Sequence, residues 1–364
     1  MLPGADVVGY FNGEFGLAEA GRLLVRSLRS VNYPVSTILT TVPNHRNQNL
    51  FPTENVWQHD TAIVSVNAGE LPDVYRTFGP DPFRNRYVIG QWFWELEEFP
   101  QQCHIGYQYV NEIWAATKFI QKTVLKYAPE NVKVVHMPLP LLSPEVDASI
   151  TRDVFNISND RFMFLFTFDF CSSTARKNPQ GVIKAFKQAF IENEGPILVI
   201  KSVNDHHFPG KLESLMSYAE GRTDIIFLNE HFDHSVVSSL RNLCDCYVSL
   251  HRSEGLGLTI SEAMCLGKPV IATGYSGNMD FMTEDNSIPI SWEYTHVGPN
   301  AEPYQADGRW AEPNVNESSH AMRYVYFNQS AAKKLGEQAK KDMEEQFSLE
   351  ACGHRMVEHL NSLQ

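Results

Sequence analysis

Positive charge is scarce in this chain. Its 364 residues carry 30 Lys and Arg against 43 Asp and Glu, a net charge of -13 with the histidines neutral. Gripping a nucleic-acid backbone takes many basic contacts, so no nucleic-acid partner is expected, although a local basic site for one diphosphate is compatible with that balance. Long apolar runs are also lacking. The longest, Phe162 to Phe168, falls far short of the roughly 20 residues a membrane-spanning helix needs. The opening Met1-Leu2-Pro3-Gly4-Ala5-Asp6 has neither a basic region nor an apolar stretch, which argues against a signal peptide. No Cys-x-x-Cys pair occurs among Cys103, Cys171, Cys244, Cys246, Cys265 and Cys352. Several of these lie in apolar strand or helix patterns, as expected of reduced, mostly buried thiols in a cytoplasmic protein. There is no internal repeat and no low-complexity tract.

What is present is a β-α-β rhythm, stated twice. Short apolar runs at Ala5–Phe11, Val35–Leu39, Ala62–Val66, Tyr87–Gln91, Ile113–Ala116 and Val132–His136 read as strands. Helical spacing appears at Leu17–Ser30 and Lys118–Tyr127. A Pro-rich stretch, Pro138 to Asn159, reads as a linker. The rhythm restarts with strands at Phe162–Phe168, Ile197–Lys201, Ile225–Leu228, Cys246–Leu250 and Pro269–Thr273, and helices at Pro179–Phe190, Ser235–Asn242 and Leu258–Leu266. Alternation of this kind implies parallel sheets covered by helices. The expectation is an α/β chain of two Rossmann-like domains facing across a cleft, 1–150 and 151–340. The Pro-, Asn- and Gly-rich Ile290–Ser319 is expected to be loop. One long amphipathic helical pattern, Ala331–Leu360, closes the chain, and its last part, 341–364, is expected to be a helix able to pack back on the first domain.

The most informative segment is Leu250-His251-Arg252-Ser253-Glu254-Gly255-Leu256-Gly257-Leu258-Thr259-Ile260-Ser261-Glu262-Ala263-Met264. A strand precedes it, two glycines occupy the turn, and a helix follows. Such a turn lets backbone N–H groups approach a ligand, and the helix N-terminus favours an anion. Glu254 in the turn and Glu262 in the helix are unsuited to binding phosphate themselves but suited to accepting hydrogen bonds from sugar and ribose hydroxyls.

Glu254 and Glu262, with seven residues between them, resemble the Glu-x7-Glu motif of retaining glycosyltransferase family four. The stretches Gly267-Lys268-Pro269-Val270-Ile271-Ala272-Thr273 and Tyr275-Ser276-Gly277-Asn278 are similar to that family too, and the likeness covers nearly the whole second half. It implies the GT-B fold, with an acceptor-binding first domain and a nucleotide-sugar-binding second one. It also implies that Glu254 meets the donor sugar, that Glu262 meets the ribose, and that Ser253, Gly255, Leu256, Gly257 and Leu258 line the sugar and diphosphate.

Three further segments fit. In Asp169-Phe170-Cys171-Ser172-Ser173-Thr174-Ala175-Arg176-Lys177-Asn178-Pro179, the cations Arg176 and Lys177 sit at a strand–helix junction and form a diphosphate clamp. Lys177 matches the family's Lys. The family's strand-end Gly-Arg is missing; Asp169 and Ser172 occupy that region, as in a subset resembling bacterial polysaccharide transferases. The turn Asn12–Glu19, with Gly13 and Gly16, resembles the family's N-terminal glycine loop and fails the Gly-x-Gly-x-x-Gly spacing of a dinucleotide site. Trp92, Trp94 and Glu95, in Gly90–Pro100, have the residue types of a sugar-binding wall, with core packing of the two Trp rings as the alternative. A sugar-contacting His has no convincing match; His104 is the nearest.

No Asp-x-Asp occurs, and no metal site or cofactor is expected beyond the nucleotide-sugar co-substrate. The resemblance therefore implies a metal-independent hexosyltransferase of polysaccharide biosynthesis, cytoplasmic, acting on a glycan or lipid-linked acceptor and open to peripheral association with the inner face of a membrane. GDP-mannose is the leading donor, by likeness to bacterial O-antigen mannosyltransferases; UDP-hexoses and deoxysugar donors stay open. The rivals are a GT-B epimerase or phosphorylase and a catalytically silent carbohydrate-binding protein.

Overall fold

The structure, a computed structural model, describes residues 1–41, 47–299 and 301–363. The first sheet is built from β1 (Leu2–Gly9), β2 (Val35–Leu39), β3 (His59–Ser65), β4 (Tyr87–Trp92), β5 (Glu112–Ala115) and β6 (Lys133–His136), in the order β2-β1-β3-β4-β5-β6. Every neighbouring pair runs parallel. Strands covered on both faces bury both sets of side chains, which is why Ala5, Val7 and Val8 of β1 are wholly buried, as is Asp6 between them, which pairs with Arg86 at 3.4 Å. The helices α1 (Gly16–Ser30), α2 (Leu71–Phe78) and α3 (Lys118–Leu125) belong to this part of the chain.

The second sheet repeats the plan with β7 (Met163–Asp169), β8 (Ile197–Val203), β9 (Ile225–Leu228), β10 (Cys246–Ser249), β11 (Val270–Thr273) and β12 (Ile288–Ile290), ordered β12-β11-β10-β7-β8-β9 and parallel throughout. Its helices are α4 (Thr174–Lys177), α5 (Pro179–Ala189), α6 (Lys211–Ser217), α7 (His234–Leu243) and α8 (Leu258–Cys265). Phe164, Phe166 and Phe168 alternate along β7 and join Val182, Ile183 and Phe186 of α5 in one apolar cluster. α5 starts sharply because Asn178 caps it, its side chain accepting from the Gly181 N–H, and Pro179 holds the first helical position.

Two expectations need correction. Ile290–Ser319 is not all loop: β13 (Trp292–His296) and β14 (Arg309–Pro313) form an antiparallel hairpin, and α9 (Val315–Phe327) follows. The closing helical pattern is two helices, α10 (Gln329–Gln346) and α11 (Leu349–Asn361). The pattern breaks because Ser348 turns out of the helix and caps α11 through the Ala351 N–H, while the Phe347 carbonyl accepts from Leu141 instead of a helical partner.

The chain divides into Met1–Leu141 with Glu345–Gln364, and Leu142–Glu344. In the first unit α11 packs along α1: Ser27 Oγ donates to the Leu349 carbonyl at 2.7 Å, and a Cβ on Gly353 would sit 2.4 Å from the Ser27 carbonyl. His359 reaches the buried Glu112 of β5 at 2.7 Å. Among the described residues no helix is long and apolar enough to cross a membrane.

Candidate functional site

At the carboxyl end of β10 the chain turns through Leu250–Gly257 and enters α8. Gly257 makes this turn possible: its φ of +89° is a left-handed conformation that suits glycine, and with no side chain it leaves the start of α8 uncapped. The neighbouring Tyr275–Asn278 loop staples the turn. Ser276 Oγ accepts from the Glu254 N–H at 2.8 Å, and the Gly277 N–H donates to the Glu254 carbonyl at 2.9 Å. Only glycine fits at 277, since a Cβ would meet the Gly255 carbonyl oxygen at 2.0 Å.

The side chain of Glu254 points into a buried cluster of charge. Arg176 Nη1 lies 2.9 Å from one carboxylate oxygen and Lys177 Nζ 2.5 Å from the other. Arg176 also donates to the Ser253 carbonyl, and its guanidinium lies 6.0 Å from the centre of the Tyr304 ring. Burial alone would raise the Glu254 carboxyl, but the two cations more than offset it and hold the acid well below the ordinary carboxylate range. Behind the turn, His251 is fully buried, and burial pushes its pKa down to about 4. Asn278, buried beside the same turn, donates to the Thr273 carbonyl at 2.9 Å.

The segment carrying the cations is fixed as firmly. The Arg252 N–H donates to the Arg176 carbonyl at 2.7 Å, and Asn178 Nδ2 donates to the Leu250 carbonyl at 2.8 Å. Arg252 itself bridges α4 and the hairpin, donating to the Ala175 carbonyl and pairing with both oxygens of Glu312 at 2.6 and 3.1 Å. One turn along α8, Glu262 pairs with Arg241 of α7 at 2.8 Å; Arg241 is nearly buried and Glu262 about a fifth exposed.

Glu254, Arg176 and Lys177 thus meet, and Arg176 also reaches Ser253; Gly255, Leu256, Gly257 and Leu258 continue the same turn into α8. Asp169 and Ser172 flank the short turn between β7 and α4. Asp169 caps the turn after β7 through the Cys171 N–H and holds Asn204 at 3.0 Å through both oxygens. Arg176, assigned from sequence with Lys177 to a diphosphate clamp, pairs with Glu254.

In the first unit, Gly13 lies in a loop whose backbone carbonyls at Phe11 and Gly13 both accept from Arg22 at 2.8 Å, and Gly16 begins α1. Trp92 is not part of a sugar wall. It is wholly buried between Phe99 and Tyr107, so no ligand can stack on its ring. Trp94 and Glu95 are half-exposed, with the Trp94 indole donating to the Glu98 carbonyl. His104 stacks on Phe99 and contacts its carbonyl.

Arg241, Arg252, His251 and Tyr304 escaped assignment from sequence. For Arg241 a signal existed, a single cation on the inward face of α7 among Ser238, Ser239 and Leu240. A cavity of about 380 Å³ lies along α5, lined by Asn178, Lys184, Lys187, Tyr218, Arg252 and Glu312; it shares Arg252 with the turn but lacks Glu254 and Lys177. Among the described residues no three His, Cys, Asp or Glu converge as metal ligands would.

Solved structures resemble the whole chain. HepE from Anabaena, crystallised with UDP and glucose, matches 99% of this chain and 100% of its own at 13% identity and a TM-score of 0.69. Sucrose-phosphate synthase from Thermosynechococcus elongatus matches 100% and 99% at 13% identity and a TM-score of 0.71. These likenesses establish the fold as GT-B, two parallel six-stranded α/β units. In sequence, the chain is 24% identical to trehalose synthase of Rubrobacter xylanophilus over 60% of its own length, and the match spans 57% of that protein. Residues 152–342, more than half of the chain and all of the Glu254 turn and its cations, match the family model "Glycosyl transferases group 1", and the protein belongs to that family.

Proposed function

We propose that the protein is a retaining hexosyltransferase that takes its sugar from a nucleoside-diphosphate donor and passes it to a glycan or lipid-linked acceptor without a metal ion. The observation that carries this reading is the joining of Arg176 and Lys177 to the turn that opens α8. Two side-chain cations and a helix N-terminus are the positive charge a leaving diphosphate needs. Glu254 would accept from the sugar hydroxyls and Glu262, steadied by Arg241, from the ribose.

In the proposed reaction the bond from the anomeric carbon to the phosphate oxygen breaks, and a bond to the acceptor oxygen forms on the same face. The acceptor's proton passes to the departing phosphate oxygen. No enzymatic nucleophile is then required; positioning and fixed charge supply the rate. GDP-mannose is the leading donor. HepE, solved with UDP-glucose, keeps UDP-glucose next in line. A lipid-linked acceptor would bring the protein to a membrane surface.

A thermal-shift screen against GDP, UDP, dTDP and ADP, each alone and as its hexose, tests the reading, because a ligand of the folded state raises the melting point by mass action. The expected outcome is a rise with one nucleotide and slow hydrolysis of its sugar form without acceptor. No response to any nucleotide would refute it. Binding with neither hydrolysis nor transfer would favour a silent carbohydrate-binding protein.

A further inference from the structure

Glu254 is itself an anion held by the two cations assigned above to the diphosphate. Its two oxygens take Arg176 at 2.9 Å and Lys177 at 2.5 Å, and all three side chains are less than 15% exposed. Its backbone is fixed on both sides by Ser276 and Gly277, so any change of partner falls to the side chain.

We propose that Glu254 is an exchangeable internal occupant of the phosphate site, and that this exchange makes the protein prefer an intact sugar donor over the spent nucleoside diphosphate. The proposal rests on the donor reading above. In this exchange a bare diphosphate draws Arg176 and Lys177 away from Glu254. The Glu254 side chain, 9% exposed, then loses both cations, a costly state for a buried charge. An intact donor takes the same cations but brings sugar hydroxyls, which donate to the carboxylate as the cations leave. After transfer the hydroxyls depart with the acceptor, Glu254 recaptures Arg176 and Lys177, and the diphosphate is displaced. The exchange involves hydrogen bonds and ion pairs only.

Calorimetry on the full chain tests this, with inorganic pyrophosphate as the probe of the cations alone and with UDP, UDP-glucose, GDP and GDP-mannose. The wild type is expected to bind the sugar donor more tightly than the matching diphosphate. Glu254→Gln, which cannot hold the cations by charge, is expected to bind pyrophosphate and the nucleoside diphosphate at least tenfold more tightly than wild type, and the sugar donor no more tightly. Glu254→Asp keeps the charge with a shorter reach and serves if the Gln variant fails to fold; it too should bind pyrophosphate more tightly than wild type. Unchanged or weakened pyrophosphate binding in the variant that folds would overturn the exchange while leaving the donor reading intact. A wild type that binds none of the five probes, and no nucleotide in the thermal-shift screen, would overturn the donor reading itself.

Discussion

At the scale of single residues, the two glutamates of the turn and helix differ in what holds them. Glu254 sits between two cations that a diphosphate can claim, whereas Glu262 has one partner, Arg241, anchored on α7. Glu262→Gln should therefore weaken binding of the bare nucleoside diphosphate by about 1.5–3 kcal/mol, the usual loss of a hydrogen bond to a charged group. Arg241→Met should act in the same direction through the carboxylate it positions. Calorimetry checks both, and equal weakening by the Glu254 and Glu262 variants would defeat the division of roles. His251 makes a separate prediction. Its pKa falls from 6.5 to about 4 on folding, so the unfolded chain takes up the proton first. Its share of stability is complete above pH 6.5 and drains away as pH falls from 6.5 towards 4, at about 1.4 kcal/mol per unit. Glu254, held low by its cations, adds its own loss only below its ordinary value of 4.5. Urea midpoints between pH 7 and 4.5 should fall in the wild type and flatten in His251→Asn.

At the scale of elements, the turn depends on a glycine outside it. Gly277→Ala drives a methyl group into the Gly255 carbonyl oxygen, so the staple through Ser276 and Gly277 must move. The expected result is a loss of nucleotide binding of tenfold or more, read by titration, with far-ultraviolet circular dichroism unchanged. The turn, its glycines and its acids were readable from sequence because strand, turn and helix are contiguous and each follows local rules. The parallel strands were readable for a similar reason, since burial on both faces leaves short, mostly apolar runs. The pairing of Glu254 with Arg176 and Lys177 was not, because those residues stand more than seventy positions apart and only the sheet order β10-β7 brings them together. The hairpin was hidden by its composition. Trp310 and Ala311 of β14 are buried, but the two short strands are separated by a stretch carrying two Pro and two Gly that dominates any window across it. Trp92 stayed open between a sugar wall and core packing because aromatic type alone does not distinguish a ring that lines a surface from one that fills a core.

For the whole molecule, the absence of an Asp-x-Asp motif and the presence of the basic pair lead to one expectation: transfer continues in EDTA, and loss restored by Mg²⁺ or Mn²⁺ would contradict it. Stability should be separable from chemistry. Gly353→Val overpacks the contact of α11 with α1, where a Cβ meets the Ser27 carbonyl at 2.4 Å. It should cost about 1–3 kcal/mol, seen as a lower Tm, while pyrophosphate affinity stays within twofold.

The return of α11 to the first unit also fixes an order of events during synthesis. Leu142–Glu344 lies entirely between the two stretches that make up that unit. A ribosome moving at about 5–20 residues per second needs roughly 10–40 s to cross the intervening stretch of about 200 residues. Throughout that interval Glu112 is without His359, and α1 is without the helix that covers it. The inner unit is complete in sequence first, so the part of the chain made earliest is the last to close.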